Sequence, residues 1–221
     1  MTNEEIKKFI FYLDGLKYSF QMAGLAFERL KNTLDEIAKH HSAGEYTENH
    51  ITSSLLDAWT LVDTCHRIRS LVQQTPGLSP KIPGIQVFLR GTQEVDNLRN
   101  YVQHFRSGIP KIPLQSYPLW GVLSWIPSHD KTICYTIVSG NMVGGVSAPS
   151  IPFDLGHWRF TAKIILFANG MEVDLCEIAA KMTKVQNCII EWLDQQSNIK
   201  RSKGKTIVTA YRAIKPPAPL A

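Results

Sequence analysis

The stretch Ile51-Thr-Ser-Ser-Leu-Leu-Asp-Ala-Trp-Thr-Leu-Val-Asp-Thr-Cys-His-Arg-Ile-Arg-Ser-Leu-Val72 decides the reading of the fold. Its apolar residues Ile51, Leu55, Leu56, Trp59, Val62, Cys65, Ile68 and Val72 return every three or four positions, the period of an α-helix with one face against a core. The helix begins near Thr47 to Thr52 and stops at Pro76-Gly77. Upstream, Glu4 to His40 repeats the pattern through Ile6, Phe9, Ile10, Leu13, Leu16, Phe20, Leu25, Leu30, Leu34 and Ile37 without a proline, as one long helix or two short ones. The polar stretch from His40 to Asn49, with its Gly44, is the first loop. Downstream, prolines at 76, 80 and 83 mark a second loop, and Gly84 to Phe105 resumes helical spacing through Ile85, Phe88, Leu89, Val95, Leu98, Tyr101 and Val102.

After Gly108 three prolines in ten residues read as an extended connector, and the periodicity then changes to that of strands. Residues 121–126 and 131–139 are rich in β-branched and aromatic side chains and are joined by the hairpin turn Pro127-Ser-His-Asp130. A third strand is expected from Trp158 to Leu166, and Asn169-Gly170 should turn the chain into Met171-Glu-Val173. These strands are expected to form a small antiparallel meander. Leu175 to Gln196 returns to helical spacing, and 205–212 reads as a last edge strand or as tail. The fold class is therefore mainly α: a helical bundle with a small C-terminal antiparallel β appendage and a further packing helix. The expected organisation is a helical domain over 1–116, a β-hairpin or meander with its helix over 117–197, and a basic tail over 198–221.

The chain has 221 residues, 44% hydrophobic and 19% charged, which excludes disorder as the dominant state. No apolar run approaches the roughly 18–20 residues of a membrane helix, and the start is polar, so a cytoplasmic protein that contacts no membrane is expected. Cys65, Cys134, Cys176 and Cys188 are far apart and form no Cys-x-x-Cys pair, so buried reduced thiols are expected and zinc is not. The net charge of +5 is concentrated in the tail, where Lys200, Arg201, Lys203, Lys205, Arg212 and Lys215 meet no acid; this suits a polyanion or a solvated terminus. His40-His41 lacks nearby acids or thiols, Gly140-Asn-Met-Val-Gly-Gly145 lacks the ending of a phosphate loop, and no cofactor is expected.

One constellation carries chemistry. In Leu98-Arg99-Asn100-Tyr101-Val102-Gln103-His104 an arginine is followed at once by asparagine and five positions on by histidine, an arrangement that composition alone would yield about 0.01 times in this chain. Arg and His are the minimum kit for metal-free RNA cleavage. Imidazole takes a proton from a ribose 2′-OH or gives one to the leaving oxygen, while guanidinium clamps the phosphate and stabilises its growing charge. On a helix, residues five apart point about 140° from one another, so a site needing both Arg99 and His104 is awkward within one chain. Asn100 and His104, at i and i+4, share a face. On the preceding helix Asp63, His66 and Arg67 also share a face. If it looks at the motif helix, Asp63 can orient Arg99 or His104; otherwise the three form a solvated stripe with an ion pair.

Over residues 4–106 the chain resembles the HEPN superfamily, four- or five-helix bundles whose nucleases carry an Arg-x4–6-His motif near the end of a long helix. The resemblance maps the motif onto Arg99, Asn100 and His104, with Asp63, His66 and Arg67 in support. It implies a metal-independent endoribonuclease acting on RNA as a homodimer, in a prokaryotic toxin or antiphage role; an interface with the motif helices apposed must also bury apolar groups, and Tyr101, Val102 and Phe105, lying beside the motif, are expected to supply them. A cognate antitoxin protein is a possible partner. Some HEPN toxins carry a modifiable tyrosine two residues after the motif histidine; here that position is Arg106, so AMPylation there is not expected. The alternative is a non-catalytic HEPN-like helical module that binds a partner protein or nucleotide, with the β appendage as its docking surface. Trp120, Trp125, Phe153, Trp158 and Phe160 are either stacking surfaces for bases or the core of the small sheet.

Overall fold

A computed structural model describes residues 2–105, 118–139, 151–154, 156–157, 159–161 and 163–195; the expected edge strand over 205–212 and the basic tail lie outside them. The first helix, α1 (Asn3–His40), is continuous. It starts at a capping box, in which the Glu5 amide donates to Thr2 Oγ1 and the Thr2 amide to Glu5 Oε2. Phe9, Leu16, Phe20, Ala23, Ala26, Leu30, Leu34 and Ile37 face the core, whereas Ile6, Ile10 and Leu25 of the expected periodic set are exposed. Through a short 3-10 turn and Gly44, which holds a positive φ of 67°, the chain reverses into α2 (Glu48–Gln74). Thr47 opens α2, with His50 in the place of the usual acid: the Thr47 amide donates to His50 Nδ1 at 3.0 Å.

The helix expected over Gly84–Phe105 is two helices, α3 (Pro83–Gly91) and α4 (Gln93–Gln103), divided at Thr92. The apolar period runs through the break, which comes from side chains of other elements. Thr92 leaves helical geometry at φ −123° and ψ 19°, and its hydroxyl donates to the Phe88 carbonyl at 2.7 Å. Arg69 of α2 takes the Leu89 carbonyl and Lys181 takes the Gly91 carbonyl, acceptors that a continuous helix would have used itself.

Four strands, β1 (Val122–Trp125), β2 (Tyr135–Val138), β5 (Ile164–Ala168) and β6 (Met171–Asp174), form an antiparallel sheet in the order β2-β1-β5-β6. A separate ribbon pairs β3 (Phe153–Asp154) with β4 (Arg159–Phe160), so the stretch expected as one strand from Trp158 to Leu166 belongs to two sheets. Nor is the main sheet a simple meander. All four residues of β1 are buried, so both faces of the sheet are covered there, and β5 pairs with β1 rather than with the half-exposed β2. Asn169 and Gly170 both have positive φ and make the tight turn that their sequence signals. The last helix, α5 (Leu175–Gln195), begins at Asp174, whose carboxylate accepts from the amides of Cys176 and Glu177.

Leu123 and Leu166, opposite one another in the central strands, join Leu30, Ile68, Phe88, Leu98, Met182 and Ile189 in one hydrophobic cluster that includes helices and sheet alike. No described helix is long and apolar enough to cross a membrane.

Candidate active site on the α2–α4 face

The helices α2 and α4 run antiparallel, so residues further along α2 meet residues earlier along α4: Asp63 meets Arg99, His66 meets Asp96, and Arg69 reaches Thr92 and Gln93. Arg69 is 5% exposed and fully engaged. Its Nε donates to both Asp96 oxygens at 3.0 Å, Nη2 donates to Asp96 Oδ2 at 2.8 Å and Gln93 Oε1 at 3.0 Å, and Nη1 donates to Thr92 Oγ1 and the Leu89 carbonyl. His66 Nδ1 lies 2.8 Å from Asp96 Oδ1, completing a polar seam between the helices. Sequence reasoning placed no role on Arg69 or Asp96. The available signal was a charged residue at the core-facing position between Cys65 and Val72, which requires a buried partner.

Arg99 is held differently. Its guanidinium comes within 4.0 Å of Asp63 Oδ1, while its enclosed Nε has no hydrogen-bond acceptor. Asp63 is at the same time paired with Arg67 of its own helix at 2.6 Å. Asp63 thus serves in both expected ways, as the carboxylate beside Arg99 and as one half of an intrahelical ion pair. Two guanidiniums share one carboxylate, which leaves them with more positive charge and more N–H donors than Asp63 satisfies.

Asn100 and His104 are exposed at the end of α4. His104 is the residue that ends the helix, its amide donating to the carbonyls of Asn100 (3.1 Å) and Tyr101 (3.2 Å). The structure therefore brings Arg99, Asp63 and Arg67 together, sets His66 one turn away on Asp96, and leaves Asn100 and His104 outward at the helix end.

The rings beside the motif face inward more than expected. Tyr101 and Phe105 meet edge to face at 4.9 Å, Phe105 meets Trp120 at 5.1 Å, and Trp120 meets Trp59 at 6.4 Å. Tyr101, Val102 and Phe105 are half-buried, and burial pushes the Tyr101 phenol up from its ordinary value. Leu56 and Trp120 are the large apolar residues exposed there.

Among the described residues no group of three or more His, Cys, Asp or Glu could hold a metal ion. His40 pairs with Glu45 at 3.0 Å and His41 stacks on Tyr46. Cys65 is a buried thiol, pushed up to about 12 by desolvation, and Cys134, Cys176 and Cys188 are raised for the same reason. Comparison with protein-family models, with curated proteins and with solved structures gives no match.

Proposed function

We propose that the chain is a metal-independent endoribonuclease of the HEPN type, with Arg99 and His104 as its catalytic pair and Asn100 beside them. The observation that carries this reading is the contrast between the two arginines of the α2–α4 face. Arg69 spends its donors on the fold, whereas Arg99 is oriented by Asp63 without being saturated by it. A guanidinium so placed can take a phosphate oxygen in a bidentate contact. In the reaction the ribose 2′-oxygen attacks the adjacent phosphorus and the 5′-oxygen leaves. His104 accepts the 2′-OH proton or protonates the departing oxygen, and Arg99 stabilises the charge gathering on the non-bridging oxygens. The toxin or antiphage role and an antitoxin partner follow from the resemblance, and a cytoplasmic location from the polar start and the want of a long apolar run.

Purified full-length protein should cut RNA in excess EDTA and leave 2′,3′-cyclic phosphate ends. His104→Ala, which deletes an exposed imidazole, should lower the rate by about 10²–10⁴-fold while leaving the thermal melt in place. Loss of activity on chelation, cleavage of DNA, or an unchanged rate in His104→Ala refutes the reading.

A second reading, a partner-binding module, is favoured by the outer face of α1. Phe11, Tyr18, Met22 and Leu25 stand exposed at spacings of seven, four and three, the pattern of a helix-pairing seam. A chain that cuts no RNA but forms a complex lost on Phe11→Ser with Leu25→Ser would establish it.

A further inference from the structure

We propose that Trp120 is the stacking platform for an unpaired base of the RNA whose phosphate is held at Arg99 and His104, so that the substrate is single-stranded at the cut; this rests on the nuclease reading above. Trp120 lies in a four-residue turn, Pro118–Gly121, closed by the Gly121 amide donating to the Pro118 carbonyl at 2.8 Å. Two aromatic side chains clamp consecutive carbonyls of that turn. The Tyr101 hydroxyl of α4 donates to Leu119 O at 2.9 Å, and the Trp59 indole N–H of α2 donates to Trp120 O at 3.1 Å. Gly121 is fixed in turn, since its φ of 84° and a Cβ that would meet the Phe167 carbonyl oxygen exclude any other residue.

The outcome of this bracing is an indole 46% exposed on a backbone that cannot move away. Phe105 and Trp59 meet it at 80° and 72°, edge to face rather than in parallel stacks. With its backbone fixed by three hydrogen bonds and its ring met by Phe105 and Trp59, the exposed indole loses little freedom when a flat partner lies on it, the condition for a preorganised binding surface.

Position names the partner. Phe105, the residue after His104 in the chain, touches the Trp120 ring, so the platform stands at the end of α4 that carries the motif. Asp63, the carboxylate shared by Arg99 and Arg67, is one turn along α2 from Trp59, whose ring meets Trp120. An aromatic face beside guanidinium groups fits a nucleotide, whose base stacks on any aromatic while its phosphate takes the cations, and a base is free to do so only where it is unpaired.

The test measures binding apart from cleavage, at one fixed salt concentration, with a fluorescein-labelled oligouridylate whose 2′-hydroxyls are all O-methylated and which therefore cannot be cut. Anisotropy should show Trp120→Ala of the full chain binding about tenfold or more weakly, with Trp120→Phe within about threefold of the unaltered protein, the span expected for one stacked base. Light-scattering mass should be the same in all three, and Trp120→Phe should keep the thermal melt of the unaltered protein. Equal affinity in Trp120→Ala overturns the platform. So does a loss as large in Trp120→Phe accompanied by a lower melting temperature, which makes the ring structural, or a change of mass, which makes it a contact between copies. If the oligomer binds in a Trp120-dependent way yet unmodified RNA is never cut, the platform stands and the nuclease reading falls. If RNA is cut and Trp120→Ala binds normally, the nuclease reading stands and the platform falls.

Discussion

Two arginines on one helix–helix face invite opposite substitutions. Arg69→Met strips Asp96 of its charge partner and Thr92 and Leu89 of donors inside the fold, and breaking such a pair costs about 3 kcal/mol or more. Arg99→Met gives up one 4.0 Å ion contact at a half-exposed carboxylate, worth less than about 1 kcal/mol. Urea titration of the two variants should therefore show a large loss for Arg69 and a small one for Arg99, while RNA cleavage should vanish in the Arg99 variant even where it is fully folded. Equal losses of stability would mean that Arg99 is a structural residue. The thiols give a second test at this scale. Cys65 is raised to about 12 by burial, so in the folded protein it remains the unreactive thiol at any pH where the fold persists, and a disulfide reagent should reach it only after unfolding. The sign of the linkage follows. A group whose folded pKa lies above its unfolded value stabilises the fold fully below the unfolded value, near 8.5 for a thiol, and loses that contribution as pH rises through the folded one. Tyr101, Cys134, Cys176 and Cys188 shift in the same direction, so the urea midpoint should fall between pH 8 and pH 10.5, and by less in Cys65→Ala than in the unaltered chain.

Among the elements, α2 and α5 are legible in the sequence from a long apolar period, with Pro76-Gly77 as the stop of α2, whereas the period of α1 leaves one long helix and two short ones both open. The break at Thr92 is not legible, since Ile85, Phe88, Val95 and Leu98 keep one period across it and the carbonyls are captured by Arg69 and Lys181 from 20 and 90 residues away. Strand order is hidden for a related reason: local pattern shows that β1 and β5 exist, while their pairing joins residues about 40 positions apart that no local pattern connects. For the site, residue types and spacing reveal Arg99, Asn100 and His104, and the i, i+3, i+4 rule puts Asp63 with Arg67. The link between Asp63 and Arg99 depends on the register of α2 against α4, which no local pattern contains. The turn before β1 makes a prediction that spans elements. Gly121→Ala forces a left-handed φ on a residue with a Cβ and drives that Cβ into the Phe167 carbonyl and to 2.9 Å from Ala168 Cβ. Left-handed strain alone costs on the order of 1–3 kcal/mol, so the variant should melt lower and, because the turn carries Trp120, should also lose affinity for the O-methylated oligouridylate. Gly170→Ala, at a turn of similar φ with open space around it, should lose stability only.

Among the described residues one core joins helices and sheet, with Leu98 inside it and Tyr101 and Val102 packed against it, so the motif stands at its edge. Arg99 is drawn toward Asp63 and α2, whereas His104 faces outward from the end of α4, so the two side chains leave the helix in different directions, as their spacing requires. A phosphate touched by both is most simply reached when one group comes from each of two chains, with the α4 helices apposed. The exposed side of α4, with Gln93, Glu94, Asn97, Asn100 and Gln103, is polar, and Tyr101 and Phe105 are occupied within their own chain, so such a pairing buries little apolar surface. It should be weak and concentration-dependent. Specific activity should then rise with protein concentration before levelling off. Mixing equal amounts of Arg99→Ala and His104→Ala chains should restore activity that neither has alone: half of the random dimers pair one of each, each with one intact site of two, for about a quarter of the activity of the unaltered protein. Recovery that is absent at concentrations where light scattering shows dimers would place Arg99 and His104 of one chain on the same phosphate, and the site would have to be completed from within, through Asp63 and His66.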